Sequence, residues 1–180
     1  VKHLNANRTP LHEDILHFTK KLNAPEKDGG EEYEVEIALQ YTDAYQDNVF
    51  AFANNISTPG GGTHLSGFRS ALTRTLNNYA KKAKLVKDGD KALTGDDFRE
   101  GLTAIVSVKL PNPQFEGQTK DKLGNREAEG VVATMLNKTL GDYLQETPGV
   151  AKVVINKALR AMQAREAARK ARELVRRALF

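Results

Sequence analysis

The chain contains no cysteine, so neither a disulfide framework nor a thiolate metal site is open to it. That absence fits a reducing, intracellular setting. No apolar run approaches the roughly 18 residues of a membrane span. The opening VKHLNANRTP has no signal-peptide core and no cleavage site; lacking an initiating Met, it reads as the middle of a strand within a longer protein. Catalytic signatures are missing as well. His3, His12, His17 and His64 are scattered, with no HExxH-like spacing, which argues against metal binding. His64, at a helix start after three glycines, suits a surface or capping role. TPGGGTHLSG lacks the lysine of a Walker loop. Asp96 and Asp97 are neighbouring acids at a helix start, where they act as dipole partners rather than as a catalytic carboxylate pair. No Ser/His/Asp arrangement, internal repeat or low-complexity segment stands out. By chemistry alone the chain holds no complete active site.

What is present is one domain's worth of sequence, 180 residues, with its basicity at one end. From Lys157 onward, eight basic residues face two acidic ones, a surplus of +6 against a net charge of +4 for the chain, which leaves −2 for residues 1–156. Such asymmetry favours a polyanionic partner at the C-terminal end, with a solvated helix as the plain alternative.

Alternation of Tyr33, Val35, Ile37 and Leu39 with Glu32, Glu34 and Glu36 predicts a half-buried strand over Glu32–Tyr41. TDAYQD then reads as a loop and Asn48–Asn54 as a second strand, together a hairpin. Lys20–Gly30, ending in Asp-Gly-Gly, reads as a loop to which no role is assigned. TPGGG breaks the chain, and Thr63 is placed to cap a helix with Leu65, Phe68, Leu72, Leu76, Tyr79 and Ala83 on one stripe. Lys87–Asp97 reads as a charged connector. Thr103–Leu110 is rich in β-branched residues and reads as a central strand ended by Pro111 and Pro113. Asn125 is placed as the N-cap of a helix whose core face runs from Ala128 to Leu144. The sum is an α+β layer: a mixed sheet with helices packed mainly on one face.

A last helix begins at Pro148 and Gly149 and could run unbroken to the terminus, about 45 Å at 1.5 Å per residue. Its stripe of Val154, Ala158, Ala161, Ala164, Ala168, Ala171, Val175 and Ala178 is mostly small, so the distal half is weakly anchored. Arg165, Arg169, Arg172 and Arg176 fall within about 60° of one another, a ladder suited to phosphates. Glu166 with Lys170, and Glu173 with Arg177, are spaced as helix-supporting pairs. Between the central strand and the helix that starts at Asn125 lies EGQTKDKLGN, where Gln118, Lys120 and Lys122 sit beside a helix N-terminus, a combination that suits an anion held in a pocket built by something else.

GGGTHLSGFRSALTRTLNNYAKK (60–82), LTGDDFREGLTAIVSVKLPNPQFEGQTKDKLGN (93–125) and AREAARKARELVRRAL (164–179) together resemble the DNA gyrase B family, in its second N-terminal, or transducer, domain. The resemblance covers nearly the whole chain. It implies the fold of ribosomal protein S5 domain 2, with residues 1–150 as the transducer core and 151–180 as a basic helix leading toward the DNA gate. It implies that Gln118 and Lys120 contact the γ-phosphate of ATP held by the preceding ATPase domain, with Lys120 aiding catalysis. It implies that Arg69 lines a cavity for DNA, joined by Arg165, Arg169, Arg172 and Arg176. Mg2+ would belong to the full-length enzyme, and none to this chain. Further implied partners are the gyrase A protein and a second copy in an ATP-bound homodimer, with a bacterial cytoplasmic, nucleoid-associated location. The chain then reads as an excised piece of an ATP-dependent supercoiling topoisomerase, inactive alone because the ATPase site and the cleavage tyrosine lie elsewhere. The ATPase chain of topoisomerase IV is the near alternative; a generic nucleic-acid-binding module and a structural or oligomerisation arm are the others.

Overall fold

The computed structural model describes residues 1–179. Eight strands form two sheets. β1 (Leu16–Asn23), β2 (Glu32–Tyr41), β6 (Leu102–Lys109), β3 (Asn48–Ala53) and β4 (Ile56–Ser57) make a five-stranded sheet in that spatial order. β5 (Gly61–Gly62), β8 (Lys122–Leu123) and β7 (Phe115–Glu116) make a small second sheet. The helices are α1 (Thr63–Lys82), α2 (Gly95–Arg99), α3 (Arg126–Glu146) and α4 (Pro148–Ala178).

The period-2 pattern of β2 does what alternation requires. Tyr33, Val35, Ile37, Leu39 and Tyr41 are buried on one face, where Leu102, Ala104, Val106 and Val108 of β6 join them. Leu65, Phe68, Leu72 and Leu76 of α1, with Val132, Met135, Leu136 and Leu140 of α3, pack onto this face and against each other. The opposite face of β2 and β6 is mostly polar, with Ala38 across from Ile105 as its apolar pair. The N-terminal turns cover part of it: Asn5 Nδ2 donates to Gln40 Oε1 at 2.9 Å, and Thr103 Oγ1 donates to Asn5 Oδ1 at 2.7 Å. Buried polar groups thereby find partners.

Several local expectations are overturned. The start of the chain is a set of turns, with the first strand beginning at Leu16. That strand takes up Lys20–Asn23 of the stretch read as loop, pairing antiparallel with β2, and a 3-10 turn at Glu26–Asp28 closes the connection. β2 and β3 form no hairpin. β6 lies between them, antiparallel to β2 and parallel to β3. A parallel pair needs a crossover, and α1 supplies it. The 42–47 loop crosses the end of β6 instead of turning back: Thr42 N donates to Gly101 O at 2.8 Å and Gly101 N to Gln46 O at 3.3 Å. Gly101 has φ +78°, and a Cβ there would meet Thr42 O at 2.4 Å, so the crossing depends on glycine. The strand read at Thr103–Leu110 is central, with bounds of Leu102–Lys109.

The last helix is continuous over Pro148–Ala178, and Phe180 lies outside the described residues. Its buried positions are Ala151, Val154, Ile155, Ala158 and Ala161. Beyond Ala161 the stripe of small residues is uncovered, and Leu174, Val175 and Leu179 are exposed. No helix among the described residues is long and apolar enough to cross a membrane.

Candidate functional site

The EGQTKDKLGN segment is a β-hairpin whose base is bolted to the core. Asn125 is buried, and its side chain does not cap α3 as its position suggests. It spans the hairpin's two roots instead. Its Oδ1 accepts from Gln114 N at 2.6 Å, and its Nδ2 donates to Asn112 O at 3.1 Å and to Glu127 Oε1 at 3.0 Å. Gly124 N donates to Gln114 O at 2.7 Å, Phe115 pairs with Leu123, and Glu116 pairs with Lys122, whose Nζ lies 3.1 Å from Glu116 Oε2. Glu127 also accepts the Tyr33 hydroxyl at 2.7 Å. Burial pushes its carboxyl up, but the bonds from Tyr33, Asn125 and its own backbone outweigh this and hold it below the usual range.

On the other side the hairpin is gripped by the glycine run. Gly61 and Gly62 pair parallel with Lys122 and Leu123, and Gly60 N donates to Asp121 O at 2.9 Å. A Cβ on Gly62 would stand 2.5 Å from Leu123 N and O, and Gly62 has φ +134°. Only glycine permits this approach. Gly62, not Thr63, is therefore the N-cap of α1. His64 is fully buried rather than on the surface, its Nε2 at 3.2 Å from Thr58 Oγ1.

With both roots fixed, the tip projects. Gln118, Thr119 and Lys120 are all exposed, and Gly117 (φ +75°) and Lys120 (φ +56°) both turn through the left-handed region. A lysine there costs roughly 1 kcal/mol. Among the described residues, neither the Gln118 nor the Lys120 side chain has a hydrogen-bond or ion-pair partner. An anion arriving from another body could take both. No cluster of His, Cys, Asp or Glu among the described residues is arranged to hold a metal.

The arginines fare unevenly. Arg69 is exposed on α1, about 10 Å along the helix from Gly62, in a depression shared with Asp47, Asp96, Arg99 and Glu100. On α4 two of the four arginines have ion-pair partners within the chain. Arg165 Nη2 bonds the buried Asp97 at 3.0 Å. Arg169 sits between Glu166 (3.0 Å) and Glu173 (2.6 Å), so those acids do not make the pairs with Lys170 and Arg177 that their spacing suggests. Arg172 and Arg176 are exposed, with no ion pair among the described residues. The contacts of Asp97 and the Gly62 strut were not legible in the sequence; the one signal was the run of three glycines before a helix.

A family profile described as DNA gyrase B matches residues 1–174. The chain is 52% identical over 177 residues to the DNA gyrase B protein of Clostridium acetobutylicum, covering 98% of this chain and 27% of that protein. A solved structure described as the 43K ATPase domain of Thermus thermophilus gyrase B in complex with an aminocoumarin superposes with a TM-score of 0.85 at 47% identity, covering 96% of this chain and 44% of that one. A topoisomerase IV ATP-binding domain from Francisella tularensis, at 24% identity and a TM-score of 0.74 over 91% of this chain and 42% of that one, shares the fold. The chain thus spans about a quarter of the Clostridium protein's length. On the profile match and the identity across almost its whole length, this chain belongs to the DNA gyrase B family.

Proposed function

We propose that this chain is the transducer of a gyrase B-like type II topoisomerase, relaying ATP binding and hydrolysis in a neighbouring ATPase domain to movements of a DNA gate. The observation that carries this reading is the hairpin tip: Gln118 and Lys120 exposed and without internal partners, on a support bolted to the core through Asn125 and Gly60–Gly62. A side chain meant only for solvation does not need so stiff a mount. The gyrase reading is preferred to topoisomerase IV because the gyrase B profile spans residues 1–174.

In this mechanism Lys120 gains a partner while a γ-phosphate is present and loses it when that group leaves. The docked and undocked positions of the transducer therefore differ in free energy between nucleotide states, which is what a nucleotide-driven switch requires. Gln118 orients the phosphate by hydrogen bonding. Mg2+ and the groups that activate water belong to the ATPase domain, so the chain alone turns over no ATP. Residues 1–150 act as the relay and 151–180 as the arm toward the DNA gate. Arg69, Arg172 and Arg176 meet backbone phosphates of duplex DNA without reading sequence. The partners are the chain's own ATPase domain, the gyrase A protein, DNA and a second copy in the closed dimer, in the bacterial cytoplasm.

The test is Lys120→Ala in the full-length protein. ATP turnover is expected to fall by about 10²-fold, the scale on which a preorganised charge stabilises a transition state, with nucleotide affinity falling much less. Turnover at the unsubstituted rate removes Lys120 from the mechanism.

A further inference from the structure

α4 is a rod mounted near one end. It leaves α3 through Thr147 and Pro148, and of its five buried side chains three are alanines, Ala151, Ala158 and Ala161. Alanine buries little area, so this seam holds the rod weakly against rotation about its root. The seam also ends at Ala161, about 20 Å from Pro148. Past Ala161, half-buried Met162 adds one more apolar contact, and the side-chain bonds from α4 to the core further out are polar. Arg165 Nη2 donates to Asp97 Oδ2 at 3.0 Å, and its Nη1 donates to Thr94 Oγ1 at 3.3 Å. One turn nearer the root than the seam's end, Lys157 Nζ lies 3.6 Å from Glu100 Oε1.

The acceptor is rigidly held. Asp97 is 3% exposed, and the same Oδ2 accepts from Thr94 N at 2.9 Å and Thr94 Oγ1 at 3.0 Å, while Asp97 N donates to Thr94 Oγ1 at 3.4 Å and closes the reciprocal capping box of α2. The strap around it is tied down at both ends. Asn77 exchanges two hydrogen bonds with Leu93, at 2.9 and 3.1 Å, and the Tyr41 hydroxyl donates to Phe98 O at 2.6 Å.

We propose that Arg165 and Asp97 form a latch that sets the direction of α4 relative to the core. Arg165 is a positioning residue, not a rung of a phosphate ladder. The contact stands about 26 Å from the root of a rod about 46 Å long, so it acts with more leverage on the arm's direction than any contact in the alanine seam. A charge-assisted bond to a buried carboxylate is stronger than a surface ion pair. When Arg165 leaves, Asp97 keeps its two bonds from Thr94. Opening the latch therefore frees the arm without unravelling α2, and the two arm positions are both folded. This goes beyond the proposed function, because it needs neither nucleotide nor DNA.

The absence of cysteine makes the experiment direct. Nitroxides are placed through Ser70→Cys on α1 and Leu174→Cys on the exposed arm, and the distance distribution is read by pulsed dipolar spectroscopy. The chain with its latch intact gives one narrow peak. Arg165→Gln and Asp97→Asn broaden it at least twofold, and Arg165→Lys, which keeps the charge, restores much of the narrowness. A second label pair, Lys20→Cys with Lys138→Cys, stays narrow in Arg165→Gln and shows that the core is intact. Should Asp97→Asn disturb that core pair, the Arg165 variants decide alone. A narrow 70–174 peak in Arg165→Gln, or equal broadening in Arg172→Gln, overturns the latch. Neither result touches ATP turnover, so the latch and the proposed function stand or fall separately.

Discussion

His64 is enclosed at the start of α1 with its Nδ1 unpartnered, and burial pulls its pKa from 6.5 down to about 4. Between those values the unfolded chain holds a proton that the folded chain does not. Stability therefore rises with pH across the window: it is fully present above about 6.5 and is lost progressively as pH falls toward 4. The displacement corresponds to something of the order of 3 kcal/mol. Burial lowers the pKa of His12 as well, adding in the same direction. Urea midpoints measured at pH 7 and pH 4.5 are expected to differ clearly, and in His64→Gln the gap is expected to shrink. An unchanged gap would sink the assignment. The sequence places His64 after three glycines, and such a histidine reads as exposed. Nothing local reveals that Gly62 tucks beneath Leu123 and draws the next residues inward. The exposure of Lys120 was legible because a loop tip needs no tertiary partner to be recognised, whereas the bond from Arg165 to Asp97 was not, because that partner lies 68 residues away.

At the scale of elements, the strongly periodic segments were readable and the pairings between them were not. β2, β6, α1 and α3 each bury one face, so hydropathy alone marks them. β1 escaped because Thr19, Lys20 and Lys21 are exposed at a sheet edge, where lysines guard against unwanted pairing and erase the apolar signal. The supposed hairpin failed because strand adjacency was settled by a crossover, a contact of long sequence separation. β5 is only two residues long, yet it joins α1 to the projecting hairpin. Gly62→Ala should therefore part β5 from β8, at a cost of about 2–3 kcal/mol in urea unfolding, with faster hydrogen exchange at the Leu123 amide. Stability within about 0.5 kcal/mol of the parent would mean that the strut yields. The two ends of α4 should also differ. Ile155→Ala, in the buried seam, is expected to cost about 2–4 kcal/mol, while Leu174→Ser with Val175→Ser in the exposed arm changes stability by less than about 0.5. Equal costs would show that something covers the arm.

Across the whole molecule, charge is segregated: residues 1–156 are close to neutral and the arm from Lys157 carries +6. Folding then decides how much of that charge faces outward. Arg165 is spent on Asp97, and Arg169 is held between Glu166 and Glu173, which raises its pKa and lowers that of Glu166. Arg172 and Arg176 remain on the same edge of the helix, exposed and without an ion pair among the described residues, so on the proposed reading they are the members of the original four that displace counterions from a duplex. Each phosphate neutralised contributes about 0.9 to the slope of log affinity against log salt. In the full-length protein, titrated with a short duplex from about 50 to 200 mM salt, Arg172→Gln with Arg176→Gln should lower that slope by about 2. Arg165→Gln should leave it nearly unchanged, since that guanidinium already has a buried carboxylate for its partner. The arm then weakens for all sequences alike, because phosphate contacts carry no base information. If Arg165→Gln lowers the slope as much as Arg172→Gln, its bond to Asp97 does not survive in solution, and the full ladder of four arginines returns as the better description of the arm.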